Sequence, residues 1–343
     1  MNTKFFIVLM IAWLIALFLT KSPKKLLQII VCDVGQGDAI LIQYERWQLL
    51  IDGGDGDLVL ACLDANMPFF DRKIEIVLAT HPHSDHIGGL GAVLKGYTVS
   101  QVISNGQTSE TDDFKRLEKA IQRKKMLGLE HRVVKRGDTL TTPASNRLFS
   151  VSVLSPLVNL SETSITPAKI AEVQLLDEKS HSLQDYSNYN DGSIALLLQF
   201  GEVTALFMGD LEERGEQALL EAQLITDVDL LKVGHHGSKT STTPGFIEYS
   251  RPEISLISVG EKNTFGHPSP QVVSLLKQNG SQILRTDLEG TISLLTDGTR
   301  IWRAATNFNV KEHSVWLSFH HFLNQSLFLL STKVQNTFSM STR

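Results

Sequence analysis

Three histidines and one aspartate fall within six positions in Thr80-His81-Pro82-His83-Ser84-Asp85-His86. Imidazole and carboxylate suit Zn2+, Mn2+ or Fe2+, and the lack of a neighbouring cysteine argues against a structural zinc knot. In a tight loop, His81 and His83 can turn toward one cation while Asp85 and His86 turn toward a second. Two distant stretches offer further ligands. Asp210 closes the apolar run Ala205-Leu206-Phe207-Met208 at Gly209, and a buried strand rarely ends on a carboxylate without a partner for its charge. Asp210 is therefore the candidate bridging ligand, with an N-cap of the next helix as the alternative. His235-His236-Gly237-Ser238 ends another apolar run. One of these histidines completes the second site. Spacing does not decide which, and His235 is preferred because it comes first after the strand. Two divalent ions, Zn2+ or Mn2+, held in this way activate water for hydrolysis. Asp85 and Asp210 are then catalytic as well as ligating.

The elements that must carry these residues can be read from apolar patterning. Residues 26–31 and 39–43 read as strands around the loop Asp33-Val34-Gly35-Gln36-Gly37-Asp38. Residues 47–51 form a third strand, ending at Asp52-Gly53-Gly54. Residues 57–66 look helical, and 74–79 form a buried strand running directly into Thr80. Glycines in 88–94 open a further helix. Residues 112–127 form an amphipathic helix with a basic, solvated face. Residues 148–154 are a strand, and 156–190 a long polar loop. A second strand-rich half follows, with strands at 194–200, 203–208, 228–233, 254–259, 282–285 and 290–295. Helices fall at 212–221 and 271–278. Two β-rich halves interspersed with helices imply an α+β fold with sheets packed face to face.

The 343 residues carry a net charge of -5, which excludes a generic basic nucleic-acid coat protein. Bound cations would nevertheless supply local positive charge for an anionic substrate. Cys32 and Cys62 are the only cysteines. One lies in a strand and one in a helix, so they read as buried thiols, and no CxxC pair exists. Residues 5–20 (FFIVLMIAWLIALFLT) are uncharged, with Lys4 before them and Lys21, Lys24 and Lys25 after. The expectation is an uncleaved membrane anchor within residues 1–25, with an exported signal peptide as the alternative. Residues 26–305 then form the hydrolase domain, and 306–343 an extension with a short helix near 314–330 and frayed ends.

The motifs in series resemble the metallo-β-lactamase superfamily, and within it the hydrolase domain of ComEC/Rec-type competence proteins. The resemblance rests on Asp33 to Ala39, Leu50 to Gly54, His81 to Gly89, Asn190-Asp191-Gly192-Ser193, Gly209-Asp210-Leu211, Lys232 to Ser238 and Phe265-Gly266-His267-Pro268. It implies a four-layer αββα sandwich and metal-dependent hydrolysis of a phosphodiester, with DNA as the strand cleaved. The alternatives are a small phosphodiester such as a phosphocholine ester, an ester or lactone, or a non-catalytic membrane-tethered module of an uptake system. The superfamily places a third histidine for the first ion in the loop before the 194–200 strand. Here Asn190 and Asp191 stand there, so the first ion has fewer protein ligands. Full-length competence channels have many spans, and with at most one this chain cannot itself form a pore.

Several residues support this picture. Asp52 is expected to hydrogen-bond a ligand loop. Gln36 and Asp38 sit in a loop expected to face the site. His267 is a candidate phosphate contact or general acid, with a structural loop histidine as the alternative. Lys232 is a candidate contact for an anionic substrate, with a solvated strand-end lysine as the alternative. His236 and Ser238 are candidate substrate contacts.

Overall fold

A computed structural model describes residues 26–143, 149–157, 160 and 188–304. All of them belong to one unit that ends at Ala304. The expected anchor, most of the 156–190 loop and the C-terminal extension lie outside the described residues. Among the described residues, no helix is long and apolar enough to cross a membrane.

The N-terminal part runs β1 (Leu27–Val31), β2 (Ile40–Tyr44), β3 (Trp47–Ile51), α1 (Leu58–Asn66), β4 (Lys73–Ala79), α2 (Ser84–Ile87), α3 (Leu90–Gly96), β5 (Thr98–Ser104), α4 (Asp112–Lys125) and β6 (Glu130–Val133). It continues as β7 (Phe149–Ser155), β8 (Ala195–Phe200), β9 (Val203–Phe207), α5 (Glu213–Glu221), β10 (Leu230–Lys232), α6 (Pro244–Ser250) and β11 (Ile254–Ile257). The last elements are α7 (Pro270–Gln278), β12 (Gln282–Arg285), α8 (Thr286–Glu289), β13 (Ile292–Thr296) and β14 (Ile301–Arg303). Patterning does not flag β5, β6, α6, α8 or β14. Among these, α6 carries a start signal in Thr243, whose side chain accepts from Phe246 N–H, and Pro244 in its first turn. The histidine loop is also more regular than expected, because residues 84–87 form a helical turn.

One sheet has the order β14-β13-β1-β2-β3-β4-β5-β6 and the other β12-β11-β10-β9-β8-β7. Strands β3 to β6 pair in parallel, as do β9 to β12, and the remaining pairs are antiparallel. Period-two alternation sorts the apolar side chains into three layers. Leu27, Ile29 and Val31 of β1 join Leu196, Leu198, Phe200 and Phe207 between the sheets. Ile30 and Cys32 point the other way, against the buried residues of α1, α3 and α4. Leu206 and Met208 face the helices α5, α6 and α7. The result is the expected αββα sandwich.

Cys32 and Cys62 are not free thiols. They form a disulfide, with Cα atoms 5.9 Å apart, that ties the exit of β1 to α1. Their 30-residue separation gave no local signal for pairing.

Candidate metal centre

Every candidate ligand follows the C-terminal end of a parallel strand, where open α/β sheets present their sites. Asp52 follows β3, and Thr80 and His81 follow β4 in the first sheet. Asp210 follows β9, His235 and His236 follow β10, and Ser258 follows β11 in the second. Backbone bonds lock these ends together, with Ile194 N–H donating to Thr80 O and His235 N–H to Gly209 O. The Asp33–Asp38 loop packs directly on the histidine turn. A Cβ at Gly37, whose φ is 124°, would lie 2.0 Å from Asp85 O. Only glycine allows that approach. Both His235 (φ 45°) and His236 (φ 53°) are left-handed, which costs roughly 1–2 kcal/mol each. This sharp turn swings two successive imidazoles to different places.

Asp210 Oδ2 sits at the focus. It lies 3.2 Å from His86 Nε2, 3.6 Å from His236 Nε2, 3.8 Å from His81 Nε2 and 3.9 Å from His235 Nε2. His81 Nε2 is 2.9 Å from His83 Nδ1. Asp85 Oδ2 is 3.4 Å from His236 Nε2 and 4.0 Å from His86 Nε2. Among the described residues, four donor groups have ligand atoms within 4.8 Å of one another, and two of them between them take in the whole histidine loop: His81, His83 and Asp210, and Asp85, His86 and His236. His236, rather than the preferred His235, joins the second group. His235 is turned toward Glu212, with Nδ1 3.0 Å from its Oε1.

Three of the inward imidazoles, those of His86, His236 and His81, are aimed from behind. His86 Nδ1 is 2.8 Å from Asp52 Oδ2, and Asp52 also accepts from Thr80 N–H (2.8 Å) and Thr80 Oγ1 (2.7 Å). His236 Nδ1 lies 2.9 Å from Ser258 O and 3.3 Å from Asp38 Oδ1. His81 Nδ1 meets only hydroxyls, Thr80 Oγ1 at 3.1 Å and Ser193 Oγ at 3.2 Å. Such partners fix the tautomer and present Nε2 to the centre.

The electrostatics divide the cluster. Burial disfavours charge on His86, but Asp210, Asp52 and Asp85 outweigh it and hold the imidazole well above its usual range. His236 behaves alike. Burial opposes its charge, Asp210 and Asp38 prevail, and its pKa rises to about 10. His81 and His83 go the other way, pushed down first by burial. Burial raises Asp52, and His86 offsets this only in part. Burial also pushes Asp210 up, but His86 and His236 overcome it and hold the carboxyl well below the usual range. Asp85 is lowered in the same way, burial being outweighed by His86 and His236. Asp38 falls to about 2, because Lys232 and His236 outweigh its burial.

The remaining sequence candidates take varied places. Lys232 is fully buried, with Nζ 2.8 Å from Asp38 Oδ2 and donating to Val233 O at 2.9 Å. The expectation of a substrate contact is thus corrected. Its ammonium neutralises Asp38 behind His236 and does not reach the surface. Gln36 Oε1 accepts from Gly260 N–H at 3.4 Å, joining the first loop to the segment after β11. Ser238 is buried and bonds Thr240, so it shapes the turn after His236. Asn190 and Asp191 are buried in a short 3-10 turn, where Asn190 Nδ2 donates to Glu212 Oε1 at 3.4 Å. His267 stands beside the cluster, its ring 5.4 Å from His235 and 6.4 Å from His236. Burial, with His235 and His236 nearby, holds it below the usual imidazole range. Thr80, Ser193, Glu212 and Ser258 escaped sequence reasoning. Only Glu212, two residues after Asp210, carried a signal that could have been read.

His86 Nε2, His236 Nε2 and Asp210 Oδ1 are buried without a hydrogen bond of good geometry. Buried polar atoms in folded proteins normally have partners. Unpartnered donors converging from both sheets, all imidazole or carboxylate, fit divalent cations. Across the chain, residues 32–261 match the family model described as the metallo-beta-lactamase superfamily. The chain belongs to the metallo-beta-lactamase superfamily.

Its relatives within the superfamily agree with the resemblance read from the motifs. The chain is 31% identical over 285 residues to ComE operon protein 3 of Bacillus subtilis (strain 168), covering 76% of this chain and 32% of that protein. It is 25% identical over 309 residues to Recombination protein 2 of Haemophilus influenzae, covering 88% and 33%. The chain therefore spans about a third of the length of these curated relatives. Among solved structures, the metallo-beta-lactamase fold protein YhfI from Bacillus subtilis aligns with a TM-score of 0.48 at 12% identity, covering 81% of this chain and all of that one. As a metallo-beta-lactamase superfamily member the chain has a metallo-hydrolase fold with candidate metal ligands in both of its sheets.

Proposed function

We propose that this chain is a two-metal phosphodiesterase that cleaves a nucleic-acid strand, DNA foremost. The carrying observation is Asp210 Oδ2 within 3.9 Å of four imidazole Nε2 atoms drawn from two sheets. His81, His83 and Asp210 would hold one divalent ion, Zn2+ or Mn2+, and Asp85, His86, His236 and Asp210 the other. Ions bound there would act as Lewis acids toward the phosphoryl oxygens and bring a water's pKa near neutrality. The chain's own residues do the rest. Asp210 keeps its charge and spans both positions. Asp52 and Asp38 fix His86 and His236. His267, held neutral at the rim, offers a hydrogen bond to a phosphoryl oxygen or the leaving group. Three buried carboxylates (Asp38, Asp52, Asp210) and the half-buried Asp85 outnumber the buried cations, Lys232 and the protonated imidazoles of His86 and His236, whose protons an incoming metal would displace. Two dications would turn that deficit into a slight excess, which suits an anionic diester. Similarity to a recombination protein and a competence-operon protein supports DNA over a small diester.

The same reading sets the domain outside the cytosol, tethered by residues 5–20. Its support is the Cys32–Cys62 disulfide, since such bonds persist in oxidising compartments. The test is metal content followed by hydrolysis of single-stranded DNA, duplex DNA, bis-p-nitrophenyl phosphate and a lactone with Mn2+ or Zn2+. The expected result is cleavage of the diesters, abolished in the folded Asp85→Ala/His86→Ala variant. Lactone cleavage alone, or full diester turnover in that double variant, contradicts the proposal.

A further inference from the structure

The centre has an aromatic rim that its ligands do not explain. Phe265 is 69% exposed, yet its position is tightly set. Asn263 brackets the loop, its Nδ2 donating to Gly260 O (3.0 Å) and His267 O (2.9 Å) while its Oδ1 accepts from His267 N–H (3.1 Å). Gly266, at φ 75°, makes the turn that leaves Phe265 at the tip. The Phe265 ring stacks on His267 at 5.9 Å and 30°, and His267 in turn stacks on His236 at 6.4 Å and 26°. A ladder of rings thus climbs from the candidate centre to solvent and ends on an open aromatic face. Phe69 and Tyr249 are comparably exposed, but among the described residues no ring contact ties them to the centre. Lys262, three residues before Phe265, is exposed and has no carboxylate partner among the described residues, although Glu261 is exposed beside it. Across the centre, Tyr189 meets His83 edge-on at 5.4 Å and is tied by its hydroxyl to Thr108 O at 2.9 Å.

We infer that Phe265 is a base-stacking platform, so that the site selects nucleoside phosphodiesters of a single strand over diesters without a base. This rests on the phosphodiesterase reading above and names its substrate class. The chemistry is that of single-strand binding proteins. A phosphate seated at cations with an unpaired base lying on an aromatic face is recognised without regard to base identity, because every base has a π-face. A duplex keeps its bases stacked within the helix and cannot use Phe265 in this way.

The experiment compares Phe265→Ala and Phe265→Trp with the wild-type holoenzyme. The ligands are an oligo(dT) carrying one 2-aminopurine and an abasic strand of equal length. Binding is read by stopped-flow before turnover. Stacking on Phe265 predicts quenched 2-aminopurine fluorescence in the wild type and in Phe265→Trp. In Phe265→Ala the quench is lost and affinity for oligo(dT) falls about 5- to 150-fold. Affinity for the abasic strand stays the same in all three. Phe265 packs no core, so the variant folds. Equal quench and affinity in Phe265→Ala, or equal losses on both strands, overturn the inference. A wild type that binds neither strand also overturns it, and bis-p-nitrophenyl phosphate hydrolysis then shows whether the phosphodiesterase reading survives.

Discussion

The two halves of the centre are built from different materials. The His86/His236 half is backed by charge. Asp52 stands behind one imidazole, Asp38 behind the other, and the buried Lys232 behind Asp38. The His81/His83 half is backed by neutral hydroxyls from Thr80 and Ser193, and by a turn that brings Asn190 and Asp191 but no third imidazole. Carboxylates behind an imidazole make it more basic and fix its ring, whereas hydroxyls orient it with little charge. On the two-metal proposal, the first half would be a tight, proton-competing ion site and the second a weaker, more exchangeable one. Asp210 joins them.

This contrast can be attacked where charge is most concentrated. Lys232→Met leaves the buried Asp38 with His236 as its remaining charged partner, and should cost about 3–5 kcal/mol of stability in denaturant melts. Asp38→Asn combined with Lys232→Met should recover most of that loss. If the single and double variants melt alike, the ion pair does not brace the His236 side. Removing the disulfide with Cys32→Ser/Cys62→Ser should cost about 3 kcal/mol. Because Cys32 feeds the loop that carries Asp38, the same variant should also loosen the His86/His236 ion before the other. Asp52→Asn should weaken that ion about 10- to 100-fold by competition with a chelator and leave the His81/His83 ion unchanged. Equal weakening of both would erase the distinction.

Acidity sharpens the comparison further. Below their raised pKa values His86 and His236 carry protons, and His236 keeps its proton up to about pH 10. Cation uptake there must displace those protons. Affinity on that side should rise by up to about tenfold per pH unit per proton from pH 7 toward 10. His81 and His83, depressed by burial, are already neutral at pH 7, so the other side should be flat over that window. Calorimetry in buffers of different ionisation enthalpy would report the released protons. The smallest effect belongs to Ser193→Ala, where loss of a neutral hydrogen bond to His81 should weaken the first ion about fivefold.

What the sequence made legible follows the same division. The His81–His86 loop could be read because four ligands sit within six residues. Asp52 and Asp210 could be read because each carboxylate ends an apolar strand. The choice between His235 and His236 depends on two successive left-handed residues, and no spacing rule anticipates that turn. The burial of Lys232 depends on Asp38, 194 positions away in sequence, and lysines at strand ends usually reach water. The hydroxyls of Thr80 and Ser193 were hidden because such residues occur everywhere and gain meaning only once the sheets meet. The layered fold was legible from alternation. Short elements such as β6, β10 and β14 span too few residues for a period to stand out, and β10 was seen only as part of a longer apolar run.

The most direct measurement is metal stoichiometry by mass spectrometry on the folded protein after loading with Zn2+ or Mn2+ and desalting. Two ions per chain are expected for the wild type and fewer than one for Asp210→Ala, since both positions share that carboxylate. A wild type that retains no stoichiometric metal, or an Asp210→Ala variant that keeps both ions, would contradict the account.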